Sequence, residues 1–100
     1  MARRVIWSDR AQQDKEAIFE FWNGHNKSKA YSRKLNALFK EAIKFLSEHP
    51  QIGRKTNLEN VSTQVVRDYL IIYETTPDSL IIHTIWYGRR DPESLDILKI

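Results

Sequence analysis

Apolar positions follow a helical rhythm in the first half of the chain and a strand rhythm in the second. Val5, Ile6 and Trp7 form a short β-branched and aromatic run that predicts a strand. Ser8 or Asp9 offers an N-cap oxygen, and residues 10–23 are mostly helix formers with Ala11, Ile18, Phe21 and Trp22 near one face. Asn23-Gly24-His25-Asn26 is turn chemistry and is expected to end that helix. Between about 28 and 47, Tyr31, Leu35, Leu38, Ala42, Phe45 and Leu46 trace one helical stripe, and Pro50 stops it. The two helices should form an antiparallel hairpin.

Residues 51–60 are polar, contain Gly53, and read as a loop. Three runs rich in Val, Ile, Thr, Tyr and Leu follow, at 63–67, 69–75 and 80–87. Asp68 separates the first two, and Thr76-Pro77-Asp78-Ser79 is a hairpin turn between the others. Connections this short join antiparallel neighbours, so the three strands should form a meander. Pro92 is placed to open a last short helix through Leu98. The expected fold is α+β, βααβββ: a helical hairpin on a four-stranded, mainly antiparallel sheet in a single domain spanning residues 1–100. Pattern alone leaves the first strand's neighbour open.

Composition narrows the chemistry. With no cysteine there is no disulfide framework, thiolate nucleophile or thiolate metal site, which suits a reducing cytoplasm. His25, His49 and His83 show no metal-ligand spacing, and no metal or cofactor is expected. The longest apolar run is Tyr69 to Tyr73, far short of the ~20 residues of a membrane span, and no hydrophobic stretch follows the first arginines as a signal peptide requires.

The net charge of +3 hides an uneven distribution. Residues 27–55 hold eight basic side chains against two acidic ones, while the remainder holds eight against eleven. A positive helix and loop on a mildly acidic remainder is a candidate phosphate-binding surface. A tighter group is Gly88-Arg89-Arg90-Asp91 after the last strand, with Arg67 ending the first meander strand. Arginines converging on one rim would form a bidentate anion site, which Arg54 could join. Trp86 and Tyr87 should face opposite sides of the sheet, one of them exposed beside Arg89 to stack on a base or anchor a protein. His83 sits within a strand, and no serine–histidine–carboxylate set or glycine-rich phosphate loop is legible.

Three segments then resemble the RelE/ParE superfamily of bacterial type II toxin–antitoxin toxins. They are His49-Pro50-Gln51-Ile52-Gly53-Arg54, Val66-Arg67-Asp68-Tyr69-Leu70-Ile71-Ile72-Tyr73, and Ile85-Trp86-Tyr87-Gly88-Arg89-Arg90-Asp91-Pro92, in the family's order and spacing. The resemblance implies a growth-arresting toxin neutralised by a cognate antitoxin that binds at Arg67, Trp86, Tyr87, Arg89 and Arg90, its acidic tail covering the three arginines and a helix lying near the hairpin of residues 9–47. The superfamily's RelE-like members are metal-independent endoribonucleases that cut mRNA on the ribosome. Their pattern places an arginine and a tyrosine where this chain has Leu70 and Leu95 or Asp96. A ribonuclease reading would draw on Arg67, Arg89, Arg90, Tyr87 and His83, with Glu59 as a further base. The ParE-like branch, which inhibits DNA gyrase by binding, is the better match: its Pro-x-Ile-Gly-Arg and Gly-Arg-x-Asp-Pro segments read at residues 50–54 and 88–92.

Overall fold

The computed structural model describes residues 2–26 and 29–87. Strand β1 (Arg4–Trp7) leads into α1 (Asp9–Asn26) and α2 (Ala30–Glu48). A 3-10 turn at Pro50–Ile52 and the two-residue β2 (Arg54–Lys55) precede β3 (Val61–Val66), β4 (Tyr69–Thr75) and β5 (Ser79–Tyr87). The sheet has five strands in the order β1-β5-β4-β3-β2.

The βααβββ order and α+β class are as expected, with informative differences in detail. The fifth strand is β2, within the segment read as loop: it is too short for period-two patterning and exists only through its antiparallel pairing with β3. β1 pairs parallel with β5, Val5 opposite Leu80 and Trp7 opposite Ile82. Such pairing needs a long crossover, here the helical hairpin followed by β2, β3 and β4. Gly24 lies inside α1 and not beyond it; a Cβ there would meet nothing within 4 Å, so the site is solvent-facing and the helix simply absorbs a poor helix former. Arg67 lies just past β3 in a turn, at φ 56°, and does not end the strand. Gly88–Asp91 and the anticipated helix from Pro92 lie outside the described residues.

Ser8 caps α1. Its hydroxyl accepts the Ala11 N–H at 3.0 Å and donates to the His83 carbonyl of β5 at 2.8 Å, fixing the helix start to the sheet. The helices pack on one sheet face around Ala11, Leu35, Phe39, Ile43, Leu46, Tyr69, Ile71, Tyr73, Leu80, Ile82 and Ile85. The inward stripe of α2 is centred on Leu35, Phe39, Ile43 and Leu46, rotated from the anticipated one, so Phe45 is about half exposed. Phe21 of α1 is likewise exposed. Where the helices meet, the buried Ser32 hydroxyl bonds Asn23 Oδ1 at 2.6 Å and the Phe19 carbonyl at 3.1 Å. Val61, Ile72, Leu70 and Trp86 pack together on the other sheet face.

Candidate functional site

The register of the meander builds one rim. Val66 pairs with Tyr69 and Tyr69 with Tyr87, so the Arg67-Asp68 turn stands beside the end of β5, where the chain leaves toward Gly88, Arg89 and Arg90. Arg67 is exposed. Its left-handed backbone is what a two-residue antiparallel connection demands, since such turns need positive φ. Arg89 and Arg90 lie outside the described residues. Arg54 pairs with Thr63, three residues back from Val66 on an edge strand, about 10 Å along the sheet from the rim. The register therefore sets Arg54 apart from Arg67.

Behind the rim the sheet and α1 enclose a cleft of ≈ 410 Å³ lined by Asp14, Ala17, Ile18, Phe21, Trp22, Tyr69, Ile85 and Tyr87. Its floor is aromatic. The Tyr69 and Tyr87 rings are 5.5 Å apart, and Tyr69 meets Phe39 edge-on at 5.8 Å. The Trp22 indole N–H donates to the Tyr69 hydroxyl at 2.7 Å, and Tyr31 closes on Trp22 at 4.6 Å. Burial pushes the Tyr69 hydroxyl above its ordinary pKa, against the opposing effect of the indole donor, so Tyr69 stays neutral at physiological pH.

Asp14 is the polar member of this cleft. Its Oδ2 accepts the Ile85 N–H at 3.1 Å and the Thr84 hydroxyl. β1 ends at Trp7, opposite Ile82, so β5 runs on past its neighbour with an unpaired edge. The Asp14 carboxylate covers that edge, the way an inward-pointing charge protects an exposed strand. The first turns of α1 thus stand where a longer β1 would run, and they hold the segment that delivers the rim. Sequence reasoning misses Asp14, though a carboxylate between Ala11 and Ile18 on an otherwise apolar stripe is a visible signal.

The Pro-x-Ile-Gly-Arg segment has a structural cause. The Tyr73 hydroxyl of β4 donates to the Pro50 carbonyl at 2.8 Å and accepts the buried Gly53 N–H at 3.1 Å. A Cβ on Gly53 would stand 2.0 Å from that hydroxyl and 2.8 Å from the Thr63 carbonyl. Burial raises the Tyr73 pKa and so keeps the proton it donates. The motif is a clamp between the end of α2 and the sheet, and Arg54 is the residue it hands to the surface.

His83 is the extra residue of a β-bulge, the register passing from Ile72–Thr84 to Tyr73–Ile82. It meets Glu74 at 2.8 Å, Nε2 to Oε1, with each side chain about one-third exposed. Glu74 pairs with Val61 on the face away from the helices, whereas Tyr87 packs with the helical core. His83 and Tyr87 are four residues apart on one strand, about 13 Å, and on opposite faces. The structure does not bring these two together as an acid–base pair. Glu59 is exposed between β2 and β3. Trp86 and Tyr87 do face opposite sides, but both are partly buried. Among the described residues no cluster of His, Asp and Glu could hold a metal ion, and no helix is long and apolar enough to cross a membrane.

The model of the ParE toxin of the type II toxin–antitoxin system parDE matches residues 5–92, from the first strand through the segment after the last. The chain belongs to the ParE toxin family. It is therefore a type II toxin by family, within the RelE/ParE superfamily. Among solved structures it is similar to the chromosomal ParDE TA system from P. aeruginosa, with a TM-score of 0.74 and 17% identity over 86% of this chain and 96% of that one. It is also similar to the toxin–antitoxin complex RelBE2 from Mycobacterium tuberculosis, with a TM-score of 0.64 and 16% identity over 87% of this chain and 99% of that one. At such identities the likeness is one of fold. No individually curated protein sequence matches the chain significantly.

Proposed function

We propose that this ParE-family chain arrests growth by binding DNA gyrase and is neutralised by a cognate antitoxin. The observation that carries the reading is the match of residues 5–92 to the ParE toxin model; gyrase is the target that the ParE resemblance implies. The separation of His83 from Tyr87 on opposite sheet faces supports a binding mechanism over ribonuclease chemistry, which needs an acid and a base on one phosphate. The antitoxin reading draws on the solved relatives, both toxin–antitoxin systems. A disordered antitoxin segment would wrap the toxin and gain affinity from the apolar area it covers despite its ordering cost. Its anchors would be Trp86 and Tyr87, with acidic groups on Arg67, Arg89 and Arg90. Arg54, Arg67, Arg89 and Arg90 are the proposed contacts to the target.

Induced expression in a bacterial host tests this directly. The expected result is growth arrest with accumulated DNA breaks and intact mRNA, relieved by Arg89→Ala with Arg90→Ala. Cleavage of mRNA within codons, mapped at RNA 5′ ends, would instead establish the ribonuclease.

A further inference from the structure

The basic excess of residues 27–55 resolves into a surface. The seven described basic residues of this segment, Lys29, Arg33, Lys34, Lys40, Lys44, Arg54 and Lys55, are all exposed. Arg33, Ala37, Lys40 and Lys44 fall at i, i+4, i+7 and i+11 on α2, inside a stripe about 60° wide and about 16 Å long. It lies away from the buried Leu35, Phe39 and Leu46. The Pro50–Ile52 turn then leads into Arg54 and Lys55 on edge strand β2, so the run of exposed basic residues continues along the chain past the helix end.

An ordinary solvated helix face interleaves signs and pairs them three or four residues apart. Glu41 and Glu48 stand three and four residues from Lys44, yet neither pairs with it. None of Arg33, Lys40, Lys44, Arg54 and Lys55 is paired with a carboxylate among the described residues. Lys40 and Lys44 are like charges one turn apart, an arrangement that works slightly against the helix. Ala37, exposed between Arg33 and Lys40, brings neither a counter-charge nor bulk to the stripe. A row of unpaired cations on one rigid helix matches a regular array of phosphates, where Lys and Arg displace counterions and fix position without reading bases.

We propose that the outer face of α2, continued by Arg54 and Lys55, binds the phosphate backbone of duplex DNA without reading its sequence. The choice of DNA as the polyanion rests on the gyrase reading; the surface itself does not.

The test uses the purified full chain and a fluorescent 24-base-pair duplex of mixed sequence, with no gyrase, so its outcome is separate from that of the target assignment. Anisotropy titrations across a salt series should give a log–log slope of about −3 to −4, as four or so displaced counterions require. Lys40→Glu with Lys44→Glu should weaken binding at least tenfold at low salt. Arg4→Glu with Arg10→Glu makes the same change in net charge on exposed residues elsewhere and should cost less than threefold. Thermal melts of both doubles should stay near the parent's. Equal losses from the two doubles, a salt slope near zero, tighter binding to an RNA hairpin, or binding to polyglutamate without binding to the duplex would each overturn the proposal.

Discussion

Gly53→Ala is expected to destabilise the protein by about 3 kcal/mol, the upper range for forcing an extra methyl into packed surroundings. In a domain this small that lowers the melting temperature by about 12 °C or more. The new Cβ has nowhere to go: the Tyr73 hydroxyl is 2.0 Å from its ideal position and the Thr63 backbone carbonyl 2.8 Å. Moving Tyr73 aside breaks both bonds its hydroxyl makes, to the Pro50 carbonyl and from the Gly53 N–H. Tyr73→Phe alone should cost about 1–3 kcal/mol, because it leaves the buried Gly53 N–H without its acceptor. The double variant should cost clearly less than the sum of the singles, since removing the hydroxyl removes part of the clash. Melting curves of the three variants decide the matter. A Gly53→Ala protein melting within about 2 °C of the parent would show that the clamp does not hold this segment.

Removing the Asp14 carboxylate is the second large effect. Asp14→Ala should cost about 2 kcal/mol, because it deprives the Ile85 N–H of its acceptor and strips the buried Thr84 hydroxyl of its partner. Asp14→Asn keeps one acceptor oxygen but loses the charge assistance, and should fall between Ala and the parent. Denaturant unfolding gives the ranking, and amide hydrogen exchange locates it: protection at Ile85 should drop in Asp14→Ala more than at Ile71 in the sheet interior. Unchanged exchange at Ile85 would mean that the carboxylate does not guard this edge. The proposed antitoxin and target contacts are engaged as well, because the part of β5 that runs beyond its pairing with Trp7 presents Tyr87 and leads to the following arginines.

What the sequence discloses, and what it withholds, follows from the range of the interactions involved. Amphipathic periodicity locates both helices and all three meander strands, since Leu35, Leu46, Ile71 and Ile82 obey the rhythm of their own element. The centre of the expected α2 stripe is displaced toward Phe45 because Phe39 and Ile43 lie one position away from its members on the same helix, and periodicity alone resolves a face only to about a residue. β2 is illegible for a different reason: two polar residues carry no period, and only β3 makes them a strand. The parallel partner of β1, the Asp14 strap, the Tyr73 clamp and the Glu74 partner of His83 all depend on contacts between elements. The family motif at residues 50–54 is visible as letters, but its physical cause lies twenty residues away in a tyrosine hydroxyl. Arg67 follows from the short connection between two strands, whereas Arg54 needs the β2–β3 pairing to show that it sits apart.

The most direct test of the central claim is a supercoiling assay with purified gyrase, relaxed plasmid and the purified chain. Inhibition of supercoiling, with broken plasmid recovered after denaturing the enzyme, is the predicted result. Full supercoiling at a large molar excess of a folded chain would contradict it.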